Sequence, residues 1–100
     1  MATYLELQGM FNDNDLTLRS ATAVIIGVDT LLSGTPTAAD RKFADAAAAD
    51  PVAVGKKALM FVLAANKDAS VAAIQGSTDS QLQTNVDAVL PALVSALSEA

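Results

Sequence analysis

The sequence predicts an all-α protein, a small helical bundle of about four to five helices with a C-terminal amphipathic arm. Three observations lead there. Threonine, serine or aspartate recurs just ahead of the apolar stretches, where a short polar side chain caps a helix N-terminus. Within those stretches the apolar residues repeat every three to four positions. Alanine, the strongest helix former, makes up about a fifth of the chain, whereas aromatics total 4%.

The elements follow in order. Thr3-Tyr4-Leu5-Glu6 reads as a capping box opening a short helix through Phe11, with Tyr4, Leu7, Met10 and Phe11 mainly on one side. Asn12-Asp13-Asn14-Asp15 interrupts it, and Asn12 or Asp13 caps a long second helix that ends near Ser33. Gly34 suits the position after its last turn, and Pro36 follows where a helix cannot continue. Ala23–Val28 could locally pass for a buried strand, but the helical stripe of Leu16, Ser20, Ala23, Gly27 and Leu31 decides for a central, buried helix. Gly27 in mid-helix costs about 1 kcal/mol relative to alanine, which points to close approach of another backbone.

Thr37-Ala38-Ala39-Asp40 opens a third helix, Ala38–Ala49, whose alanines offer little to bury. Asp50-Pro51 is the strongest punctuation in the chain: the aspartate caps, and proline at the first helical position loses no hydrogen bond. The fourth helix runs from Pro51 to about Asn66 and is apolar nearly all round. With the second helix it is expected to form the centre of the bundle. Ser70 caps a one-to-two-turn helix through Gln75, closed by Gly76. Thr78-Asp79-Ser80-Gln81 is a further capping box, followed by the stripe Leu82, Val86, Val89, Leu90, Leu93, Val94 and Leu97. Pro91 interrupts that stripe. Either the helix ends near Leu90 and residues 91–100 form a separable amphipathic arm on a bundle of residues 1–90, or one kinked helix stays in the same core.

Composition narrows the chemistry. Without cysteine or histidine the chain has no disulfide, no thiolate nucleophile, no imidazole base and few routes to zinc. A net charge of −5 argues against nucleic acid as the principal partner. The longest uncharged apolar runs, at Ser20–Val28, Ala58–Asn66 and Ala88–Ser98, fall short of a bilayer span, and Met1-Ala2-Thr3 does not begin like a secretory signal. The expectation is a soluble protein made inside the cell, with no membrane partner. A core so rich in alanine forgoes about 2 kcal/mol at each position that could have held leucine, so close helix contacts or neighbouring subunits are expected to compensate.

Candidate chemical motifs fail one by one. Gly55-Lys56-Lys57 lacks the glycine and the hydroxyl residue of a phosphate-binding loop: Asp50 and Lys57 stand in those places. A calcium loop starting at Asp13 would need glycine where Leu18 stands and glutamate where Val24 stands. The carboxylates of Asp13, Asp40, Asp50 and Asp79 fall at predicted helix N-termini, where the helix dipole favours them. Pairs such as Asp40 with Asp45, or Asp79 with Asp87, meet only if the fold brings them together. No catalytic, cofactor or metal residue is expected, and the chain reads as a non-enzyme. The basic doublets Arg41-Lys42 and Lys56-Lys57 sit on solvated faces or supply complementary charge across a subunit interface.

Thr3–Gln8 followed by Phe11–Leu16, the apolar Ala23–Val28 run, Lys57–Lys67, Ser70–Gln75 and Leu82–Val89 together resemble short virion proteins of tailed bacteriophages. Size and all-helical layout are most similar to the head–tail connector, or adaptor, family. The resemblance rests on pattern and composition over nearly the whole chain and includes no chemical motif. It implies a structural subunit of the virion neck, made in the host bacterial cytoplasm. The implied assembly is a dodecameric ring under the portal protein, next to a tail-side neck protein, with DNA passing through the channel without sequence-specific contact. It also implies that a C-terminal segment grips the portal, which here maps onto Leu90, Pro91, Leu93, Val94 and Leu97. Tyr4, Leu7, Met10 and Phe11 would lock the N-terminal helix or touch a neighbouring subunit. The alternatives are another virion component, in head completion or on the capsid, and a soluble helical regulator that binds one partner.

Overall fold

The computed structural model describes residues 4–66 and 70–98, the side chains of Tyr4, Glu6 and Leu7 excepted. Among the described residues six helices follow one another: α1 (Tyr4–Asn12), α2 (Asn14–Ser33), α3 (Ala38–Ala49), α4 (Pro51–Ala65), α5 (Val71–Gln75) and α6 (Asp79–Ser98). No strand occurs among them. The protein is all-α. Four of the helices are long and build the bundle, while α1 and the five-residue α5 close one end, which is why a count of four to five falls short of the six segments.

The boundaries are set by side chains that satisfy orphan backbone groups. Asp13 Oδ1 accepts from Leu16 N at 3.0 Å and starts α2. Thr37 and Asp40 form a reciprocal capping box on α3, at 3.1 and 3.0 Å. Asp50 accepts from Ala53 N ahead of Pro51, and Ser70 accepts from Ala73 N, both at 3.1 Å. Thr78 and Gln81 exchange bonds of 3.2 and 2.9 Å at the start of α6. The box expected at Thr3–Glu6 lies outside the described residues. Gly34 does follow α2, but with φ −97°, so the chain leaves the helix without the left-handed turn that glycine permits.

The separable arm is not what the chain does. Helix α6 continues through Pro91 to Ser98, and Leu90, Leu93 and Val94 are buried in the common core, Leu93 completely. Proline inside a helix costs about 3 kcal/mol, but burying Leu93 and Val94 beyond it returns about 1.5–3 kcal/mol each. Burial wins. Of the two alternatives, a single helix staying in the same core is the one realised, and the boundary between residues 1–90 and 91–100 marks no structural division.

Helices α2 and α6 run side by side in the same direction: Arg19 reaches Asp79, Ala23 O accepts from Gln83 Nε2, and Gly27 lies against Leu90. Helix α2 packs most extensively on α4, and α2, α3, α4 and α6 all touch one another. Helices α2 and α4 therefore do form the centre. The largest fully buried side chain is Phe43, on the α3 helix whose alanines offer little to bury, with Ala47 buried one turn later. The spacing of Ala39, Phe43 and Ala47 is the helical signal that marks this face. A radius of gyration of 12.9 Å is that of one 100-residue domain, for which about 13 Å is usual.

Candidate interaction surface

Helix α2 has two unlike faces. Leu16, Thr17, Ser20, Ala21, Ala23, Val24, Gly27 and Val28 turn inward. Leu18, Ile25, Ile26 and Leu32 turn outward and are 61, 37, 49 and 43% exposed. By length and composition α2 could also cross a membrane, though 44% of its apolar stretch is buried inside the bundle and its outward face carries Asp15 and Asp29. Both properties also arise in the central helix of a bundle that keeps one face open.

Leu18, Ile25 and Leu32 stand seven residues apart. Such a row drifts only about 20° per repeat, so it holds one side of the helix over about 20 Å. Thr22 and Asp29 lie between these positions, and Asp15 precedes them, all exposed. The only basic residue of α2, Arg19, is drawn to the side. Its Nε donates to Asp79 Oδ1 at 2.6 Å and its Nη2 donates to Ser77 O. The outward face is thus apolar with acidic flanks.

A second apolar feature lies between α4 and the last turns of α6, a groove lined by Met60, Phe61, Ala64, Ala96, Leu97 and Lys57. Met60 is 52% exposed there. At the end of α6, Lys42 Nζ donates to Ser98 O at 2.8 Å, placing a cation where the helix dipole is negative. Lys42 and Lys57, distant in sequence, therefore flank the same helix end.

The residues expected to contact partners divide accordingly. Leu90, Leu93 and Val94 belong to the core and present no surface. Pro91 is exposed and Leu97, half-buried, helps to line the α4/α6 groove. Met10 is fully buried and Phe11 packs half-buried on the core, so both lock α1 in place; the side chains of Tyr4 and Leu7 lie outside the described residues. Arg41, Lys42 and Lys57 are exposed and Lys56 is half-buried. Asp40 does not meet Asp45 but shares a cavity with Asp87, beside Pro91 and Leu90. Among the described residues no three His, Cys, Asp or Glu side chains converge as metal ligands would.

Two features that organise these surfaces escape the sequence pattern. The outward leucines and isoleucines merge into a helix that reads as apolar all round. Gly55, which the pattern sets only against a phosphate-loop motif, is where α4 meets the α2 backbone: a Cβ there would lie 2.8 Å from Ala21 N. No family model matches the chain, and no curated protein or solved structure is detectably similar to it.

Proposed function

We propose that this chain is a non-catalytic structural subunit of a tailed-phage virion, a head–tail connector of the neck that sits under the portal and joins capsid to tail. One observation of the structure carries the subunit reading: a closed, well-capped bundle leaves a row of large apolar side chains, Leu18, Ile25, Ile26 and Leu32, uncovered along its central helix. Contiguous exposed apolar patches on small proteins mark contact surfaces. The virion assignment rests only on residue pattern and composition that resemble short phage virion proteins, with no detectable relative behind it. A net charge of −5 suits a channel wall along which DNA slides without being gripped.

With Leu90, Leu93 and Val94 in the core, contact with the portal falls to surfaces the fold leaves open, such as the α4/α6 groove around Leu97. Quantitative mass spectrometry of purified particles tests the function. About a dozen copies per virion is the stoichiometry of a closed connector ring. Hundreds of copies would instead place the chain on the capsid, and its absence from particles would leave a helical regulator.

A further inference from the structure

We infer that the outward face of α2 in one copy seats in the α4/α6 groove of the next copy, so that the chain associates head to tail through two different surfaces. The inference rests on the subunit reading above and names the surfaces that reading leaves open.

Shape and charge point the same way. The α2 face offers a straight row of Leu18, Ile25 and Leu32, the form in which a helix enters an apolar groove. The α4/α6 groove is that kind of receptor, with Met60, Phe61 and Leu97 as its apolar wall. The face is flanked by Asp15 and Asp29; its one cation, Arg19, lies 4.0 Å from Asp15 and is bound to Asp79, which leaves Asp29 as the unopposed acid. The groove is edged by Lys57, with Lys42 at the end of α6, and no carboxylate lines it among the described residues. Acidic flanks therefore meet basic edges.

Pairing α2 with a second α2 lacks that complementarity. It would gather the Asp29 carboxylates of both copies into one seam with only Arg19, already engaged by Asp15 and Asp79, to offset them, and like charges across a contact are costly. A face that fits a different face generates a chain or a closed ring of subunits, whereas a face that fits itself stops at a dimer.

The native chain has no cysteine, so disulfide trapping can be directed at will. Full-length Ile25→Cys and Met60→Cys proteins, confirmed as folded by far-ultraviolet circular dichroism, are mixed and oxidised. Ala48→Cys, at an exposed site on α3, is the control. The expected result is that Ile25→Cys joins Met60→Cys about tenfold more than either joins the control, because a docked pair raises the local thiol concentration. Asp29→Lys should lower the mixed product about threefold, and adding Lys57→Asp in the partner should restore it. Preferential Ile25→Cys self-crosslinking would overturn the head-to-tail inference while leaving self-association standing. Oligomers seen by light scattering without the mixed crosslink would overturn the inference alone. A chain that stays monomeric and uncrosslinked at millimolar concentration would overturn both this contact and the self-assembling subunit reading.

Discussion

Two of the seams that hold α2 in the bundle, those with α4 and α6, are built on opposite principles. Against α4, Gly55 lets backbone approach backbone: an added Cβ would sit 2.8 Å from Ala21 N and 3.1 Å from its Cα. No side-chain hydrogen bond joins α2 to α4 among the described residues, and Ser20 turns its hydroxyl back to Leu16 O at 2.8 Å. Against α6, polar side chains reach across. Arg19 binds both Asp79 and Ser77 O, and Gln83 Nε2 donates to Ala23 O at 3.2 Å. Gly27 faces the movable end of Leu90 there, where an added Cβ would lie 3.0 Å from Cδ2. A glycine against backbone is a geometric requirement, while a glycine against a flexible side chain can be relieved by a rotamer shift. The same residue type in neighbouring seams therefore has different consequences.

Substitutions can break this contrast, and the largest effect is expected at Gly55. Gly55→Ala should force α2 and α4 apart and cost about 3 kcal/mol, lowering the melting temperature by about 10–20 °C for a domain of this size. An unchanged melting curve would mean that the α2/α4 seam is looser than its geometry. Leu90→Ala should cost about 2 kcal/mol through the cavity it leaves. Combined with Gly27→Ala, which puts a methyl into part of that space, the loss should be smaller than the sum by about 0.5–1 kcal/mol. Strict additivity in urea melts would separate the two side chains. Arg19→Met should remove the staple at the foot of the α2/α6 seam for about 1 kcal/mol, with hydrogen exchange quickening first around Ser77–Gln81. The smallest effect belongs to Gly27→Ala alone. Its gain in helix propensity of about 1 kcal/mol is nearly offset by displacing Leu90, leaving a net change within about 0.5 kcal/mol. A loss of several kcal/mol would show that Leu90 has no room to move.

The contrast also explains why one glycine is legible in the sequence and the other is not. Gly27 interrupts a helical stripe, so its cost is visible and asks for a neighbour. That neighbour is the side chain of Leu90 rather than a backbone, because which part of α6 lies opposite depends on register. Gly55 also stands inside a predicted helix, but beside Lys56-Lys57 it is weighed only against a phosphate-binding loop, and nothing in the pattern says which neighbour it meets. Phe43 is hidden for a related reason. One aromatic in an alanine-rich helix changes the pattern little, yet it becomes the largest fully buried side chain.

Local chemistry determined the helices and their starts by itself, because a cap is a contact between residues two or three positions apart. Asp13, Thr37, Asp50, Ser70 and Thr78 each act where the sequence places them. Tertiary structure alone decided whether α6 survives Pro91 and which side of α2 stays uncovered. Both depend on long-range burial, which at Leu93 and Val94 outweighs what a single proline costs and is invisible to any local pattern.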